Sequence, residues 1–192
     1  MATKECDHKP TIENILSVYR AAEGWHVREG ISWYPDARQI ALDLSPGNVA
    51  MGAGILAAFS PQTPWGRNVT IAHRAFADGF ASGHTGTVCE KANRILAGEN
   101  PLEVLGGDKT TNFCRNIIDP LGNDVTIDRH AYGIAVGEPM GKRPLTLINR
   151  KGGYEMFANL YRAAAQIAGI AVPQLQAITW LVWREALGIV DD

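Results

Sequence analysis

Apolar residues recur along this chain at the three- and four-residue spacing of helices, and no segment shows a convincing alternation of apolar and polar side chains. Stripes of this kind are buried by packing helix against helix, which predicts an all-α fold. The helix candidates are 11–22, 33–43, 48–59, 65–79, 87–97, a short 101–105, 109–118, 128–137, 153–168 and 174–187. Residues that stop helices fall between them: Pro46-Gly47, Pro61, Gly98, Gly106-Gly107, Pro120 with Gly122, Pro139, Gly152-Gly153 and Pro173. No repeat of fixed period and no low-complexity tract is present. The longest irregular stretch, "EPMGKRPLTLINRKGG" at 138–153, reads as a lobe boundary or a substrate-facing loop.

With 192 residues the chain can build a real core, as one domain or as two small lobes. Cys6, Cys89 and Cys114 are far apart, with no C-x-x-C pair. That spacing argues against a zinc site or a cysteine-held iron–sulfur cluster and suits a reducing cytoplasm. His8, His26, His73 and His84 show no ligand spacing either, so they read as ordinary polar residues and no metal is expected. The apolar run "ALDLSPGNVAMGAGILAAF" is broken by Asp43, Ser45, Pro46 and Asn48, well short of a membrane span. The opening "MATKECDHKP" lacks an apolar signal core. The expectation is therefore a cytoplasmic protein, with no membrane contact and no obligatory protein partner. A net charge of −2 argues against indiscriminate coating of nucleic acid. Two local clusters, Arg67 with His73 and Arg74, and Lys142 with Arg143, Arg150 and Lys151, are either phosphate-facing or ordinary solvated surface.

Between "NPLEVL" and "KTTNFCRNII", the residues Gly106, Gly107 and Asp108 make a tight reversal, with glycine supplying positive φ. The expected unit is helix, glycine hairpin, helix. Free N–H groups at the start of the second helix would offer an anion site suited to a phosphate. Lys109 stands in that first turn, where a cation opposes the helix dipole. Such a conflict asks for a functional reason. Partial burial beside the dipole would lower the lysine pKa and free the amine as a nucleophile. Nineteen positions on, in "GNDVTIDRHAYGIAVG", Asp128 is placed to cap a helix beginning at Arg129.

Taken together, Gly107, Lys109, Asp128 and His130, with "KTTN" and "IDRH" around them, resemble the helix–hairpin–helix DNA glycosylase superfamily. Its lysine-bearing members carry a hairpin "G-x-K" followed some twenty residues later by "V-D-x-H". The segment "ILAAFSPQTPWGRN" at 55–68 is similar to the family's early helix, whose "S-x-Q-T/A" end meets DNA. The motifs cover roughly 50–137. The resemblance implies a two-lobed helical fold with a cleft between lobes, one lobe at 50–137 carrying the hairpin and the other built from 1–49 and 138–192. It implies Lys109 and Asp128 as catalytic residues, and Gly106, Gly107, Gln62, Arg67, Asn68 and His130 as DNA contacts, with Gln62 filling the gap left by an extruded base. The chain departs from the family's usual pattern in two places. Its hairpin is Leu105-Gly106-Gly107-Asp108, without the proline and apolar residue that usually separate the glycines, and with a carboxylate beside the phosphate site. The C-terminal cysteine cluster of several members is absent, so no iron–sulfur centre is implied.

The implied activity is excision of a damaged or modified base from double-stranded DNA, without metal or cofactor. The base leaves the stack at a cost of a few kcal/mol and is held by aromatic side chains. Candidates for that task are Trp25, Trp33, Trp65, Trp180, Trp183 and Tyr132, although the helical spacing of Trp180 and Trp183 assigns those two more readily to the core. Lys109 would attack the anomeric carbon and form a Schiff base, and Asp128 would stabilise the sugar's developing positive charge or deprotonate the nucleophile. Three other readings compete. The scaffold more distantly resembles phage enzymes that elaborate a hydroxymethyl-pyrimidine in DNA with an amine or amino acid. A non-catalytic DNA-binding module would keep the hairpin and lose the chemistry. A plain helical interaction domain would use Lys109 as surface and Asp128 as a cap. The apolar C-terminal segment "PQLQAITWLVWREALGIV" is expected to close the core.

Overall fold

A computed structural model describes residues 9–189, so Cys6 and His8 lie outside the described residues. The described residues form ten helices and no strand, the all-α fold that the spacing predicts. In chain order they are α1 (Ile12–Arg20), α2 (Gly24–Leu44), α3 (Val49–Phe59), α4 (Trp65–Asp78), α5 (Gly86–Leu96), α6 (Pro101–Val104), α7 (Asp108–Ile118), α8 (Arg129–Val136), α9 (Gly153–Ala168) and α10 (Val172–Ala186). Side-chain caps fix several starts. Thr11 Oγ1 accepts from the Asn14 amide at 3.1 Å, and Asn48 Oδ1 accepts from the Met51 amide at 3.1 Å. No single helix among the described residues is long and apolar enough to cross a membrane.

Two boundaries differ from expectation. α2 begins at Gly24, well ahead of the predicted 33. Its added turns bury His26 and Gly30, residue types that leave no apolar stripe in the sequence. Pro35 consequently sits inside the helix, on its exposed side, where the carbonyl that loses its donor can turn to water. Pro173, predicted to separate helices, lies in the first turn of α10, where a missing N–H costs nothing.

α3 is apolar all round and is accordingly the central helix, buried from Gly52 to Phe59. A first hydrophobic cluster surrounds it, with Tyr34, Ala37 and Ala41 of α2, Ile71 of α4, Ile95 of α5 and Phe113 and Ile117 of α7. A second cluster joins Ile15 of α1, Tyr132 and Ile134 of α8, and Phe157 and Tyr161 of α9 to Val125 and Ile127. The hydrophobic clusters thus group α2 with the hairpin helices and α8 with the C-terminal ones, a partition different from a lobe at 50–137. α10 serves both, with Ala177 in the first cluster and Val172 and Leu175 in the second.

The junction is tight where α2 crosses α10. A Cβ on Gly30 would lie 2.4 Å from Ile178 Cγ1 and 2.8 Å from the Ile178 backbone nitrogen and Cα. Only hydrogen fits between these two backbones. Gly30→Ala is therefore expected to lower stability by about 1–3 kcal/mol through overpacking, against its better helix propensity. Urea unfolding followed by circular dichroism checks this, and an unchanged or raised midpoint would contradict it.

Candidate functional site

Where the two clusters face each other, the surface opens into a cleft of about 530 Å³, within the range of small-molecule and base-sized sites. One wall comes from α2, the loop before α4, α4 itself and α7, and carries Trp33, Tyr34, Gln62, Trp65, Asn68, Lys109 and Phe113. The other comes from the segment leading into α8 and from α10, and carries Thr126, Asp128, Arg129, His130, Gln176, Trp180 and Arg184. Lys109 and Asp128, far apart in sequence and set on different helices, line the same cavity.

The hairpin explains where Lys109 stands. Leu105 ends α6, Gly106 and Gly107 take φ of 60° and 82°, and α7 starts at Asp108. Two successive left-handed residues are strained for anything but glycine. The Leu105 carbonyl accepts a hydrogen bond from Lys91 Nζ of α5, and Thr110 Oγ1 donates to the Gly106 carbonyl at 2.9 Å, so the turn is braced on both sides. Asp108, a repulsive charge if the hairpin holds phosphate, has an ordinary structural reason: as the first residue of α7 it complements the helix dipole. Lys109 follows it. Contrary to expectation its side chain is exposed, so burial does not activate the amine.

Asp128 is the N-cap of α8. Its Oδ1 accepts from the Ala131 amide at 2.7 Å and its Oδ2 from Trp180 Nε1 at 3.0 Å. With both oxygens engaged, the carboxylate is fixed in position and still half-exposed toward the cleft. The backbone before it is fixed as well. The Tyr154 hydroxyl donates to the Val125 carbonyl at 2.8 Å and accepts from the Ile127 amide at 3.0 Å. Arg184 lies over the Trp180 ring, 4.2 Å from its centroid, and His130 meets the same ring edge-on. Trp180 is thus a wall of the site, where helical spacing assigned it to the core. Arg129 and Arg184 add two cations that the sequence reading did not single out. Asp128 is the only carboxylate among the lining residues, facing Lys109, Arg129 and Arg184.

Aromatic rings cover the opposite wall. Trp33 lies 5.1 Å from Trp65 and 5.8 Å from Phe113, centroid to centroid. Behind them runs a buried polar chain: Asn116 Nδ2 donates to Thr126 Oγ1 at 3.0 Å, and the Tyr34 hydroxyl lies 3.2 Å from Thr126 Oγ1 and 2.9 Å from Gln176 Oε1. Burial pushes the Tyr34 pKa up to about 12, so this phenol remains a donor at neutral pH. Among the other proposed base-holding residues, Tyr132 is buried and stacked on Phe157 in the second cluster, and Trp183 packs against that cluster. Trp25 stacks on His26, away from the cleft lining. These three do not reach the site.

The remaining sequence-derived contacts divide. Gln62 is at the lip, exposed, with φ of 56°, the one positive φ of a non-glycine residue among the described residues. Its loop is stiffened by Pro61 and Pro64 and braced by His84. The His84 Nδ1 accepts from the Thr85 amide at 2.8 Å, which places the proton on Nε2, 2.9 Å from Thr63 Oγ1 and 3.2 Å from the Pro61 carbonyl. His84 therefore has a specific task, beyond that of an ordinary polar residue. Asn68 is 1 % exposed, and as a contact for a duplex backbone it is misplaced because it lies inside the wall. Arg67 is exposed, 3.4 Å from the Gly83 carbonyl, and neither it nor Gly106 and Gly107 lines the cavity. Among the described residues no group of three His, Cys, Asp or Glu is placed to hold a metal ion.

Trp180→Phe keeps a ring in the wall but removes the donor to Asp128. It is expected to cost about 1 kcal/mol of stability. The loss should not add to that of Asp128→Ala, which also removes the cap. Thermal unfolding of the two single variants and the double variant checks the coupling, and full additivity would contradict it.

No curated protein and no solved structure matches the sequence. A family model does match, over residues 1–187, and by that match the chain belongs to DUF7178, a family of unknown function.

Proposed function

We propose that this protein is a two-lobed helix–hairpin–helix DNA glycosylase with lyase activity, acting on a damaged or modified base swung out of double-stranded DNA. The observation that carries the reading is the convergence of Lys109 and Asp128 on one cleft whose other charges are cationic and whose far wall is aromatic. A polyanion is drawn to such a surface, and a flat heterocycle stacks on such a wall. Gln62, strained and exposed at the lip, is suited to occupy the space that an extruded nucleotide leaves in the duplex.

In this mechanism the Lys109 ammonium gives its proton to solvent, and the neutral amine attacks the anomeric carbon. The glycosidic bond breaks as the base departs with the bonding electron pair and takes up a proton. Opening of the sugar ring converts the amine adduct to a Schiff base. Loss of a C2′ proton then expels the 3′ phosphate by β-elimination. Asp128, with both oxygens already accepting hydrogen bonds, acts through its negative charge on the oxocarbenium-like sugar and not as a proton acceptor. Arg129 and Arg184 hold flanking phosphates.

Borohydride added to the protein with duplex DNA containing an abasic site is expected to trap a covalent adduct. Lys109→Gln should abolish it, and an undiminished adduct in that variant would refute the assignment. Asp128→Asn should slow base release about a hundredfold while leaving duplex affinity nearly unchanged, as measured by single-turnover kinetics and fluorescence anisotropy.

The exposure of Lys109 favours a second reading to the extent that burial gives its amine no activation. In that reading a flipped hydroxymethyl-pyrimidine is elaborated with an amine or amino acid, and the sugar is left intact. Nucleoside mass analysis separates the two, since excision yields a free base and elaboration a heavier nucleoside.

A further inference from the structure

Asn68 is buried in the aromatic wall with one half of its amide satisfied. Its Nδ2 donates at 2.9 Å to the Leu56 carbonyl, near the C-terminal end of α3. The expected helical donor to that carbonyl, the Ser60 amide, bonds to Ala57 instead. This bond settles the orientation of the amide, because a carbonyl requires the nitrogen and not the oxygen opposite it. Asn68 Oδ1 is then an acceptor with no partner, in a residue only 1 % exposed that lines the cleft. A buried carbonyl oxygen left unpaired costs about 1–3 kcal/mol, and native folds keep few of them without a use. Asn116 Oδ1 is also unpartnered, but Asn116 is not part of the cleft lining.

On the facing wall, Gln176 is buried as well, and its Oε1 is taken by the Tyr34 hydroxyl. Its Nε2 is left as a donor without an acceptor among the described residues. Between the two amides stand Trp33, Trp65 and Phe113, which offer faces and no further polar atoms except the indole N–H groups. The cavity thus supplies an aromatic bed, one fixed acceptor and one donor.

We propose that Asn68 is a specificity-determining residue whose Oδ1 accepts an N–H from the pairing edge of the bound base. The site's substrates are then bases whose edge N–H is intact, such as deaminated, oxidised or hydroxymethylated ones. Bases alkylated at that nitrogen are excluded, since a methyl group there both fills the space and leaves Oδ1 buried and unpaired. This rests on the proposed reading for the ligand being a DNA base, and on the geometry of the wall for the edge that is read.

The test compares 1-methyluracil, which keeps its N3–H and mimics the nucleotide at N1, with 1,3-dimethyluracil, which lacks that hydrogen. Binding to the full-length protein is read by quenching of tryptophan fluorescence, and the pair is repeated as deoxyuridine and N3-methyldeoxyuridine in a mismatched duplex. 1-Methyluracil is expected to bind at least about tenfold more tightly. Asn68→Ala should erase that difference. Should this variant fail to fold, the ligand pair on the wild-type protein carries the test alone. Equal quenching by both free bases, or by neither, overturns the inference. Trapping on abasic DNA, which has no base to read, separates the two proposals. An adduct without base discrimination leaves the glycosylase reading and sinks this one, and discrimination without an adduct does the reverse.

Discussion

Backbone contact between α2 and α10 at Gly30 and Ile178 sets the distance between the two hydrophobic clusters. α10 supplies Ala177 to one cluster and Leu175 to the other, so its position fixes both at once. From the same helix project Gln176 and Trp180, and from α2 project Trp33 and Tyr34. The width of the cleft is therefore inherited from a packing contact that none of its functional groups makes. Protein interiors are stiff on this length scale, so an ångström gained at the crossing would be passed on to the walls.

The carboxylate shows how structure and function share the same groups. Asp128 stabilises α8 as its cap, and the indole of Trp180 takes the second oxygen. Neither bond is dispensable to the fold, yet together they hold a negative charge at a fixed point in a mostly cationic cavity. That is the preorganisation on which electrostatic stabilisation of a developing cation depends. Lys109, by contrast, is exposed and mobile on its four-carbon stem, so the lysine can travel and the carboxylate cannot.

Much of the helix order was legible because glycine and proline punctuate the apolar stripes, and because Thr11, Asn48 and Asp128 announce helix starts. The exception, the first half of α2, buries a histidine and a glycine, and no hydrophobic count registers either. In the site, the convergence of Lys109 and Asp128 had a sequence signal in the hairpin and the cap. Trp180 did not, since an indole at helical spacing beside Trp183 looks the same whether it faces a core or a cavity. Arg129 and Arg184 were hidden for a similar reason, being single basic residues outside any cluster. Tyr132 illustrates the converse: its place beside His130 suggested a site role, but the turn of α8 sends it into the second cluster. The partition of an amide into a used nitrogen and an unused oxygen, as in Asn68, exists only once α3 and α4 have met.

The lip of the cleft has a thermodynamic consequence. Pro61, Pro64 and the neutral imidazole of His84 hold Gln62 in a left-handed conformation before anything arrives. The entropy lost in ordering that loop is charged to folding, so an incoming partner does not bear it again. Encounter at this edge should thus be limited by how readily the visitor deforms, with little rearrangement asked of the host.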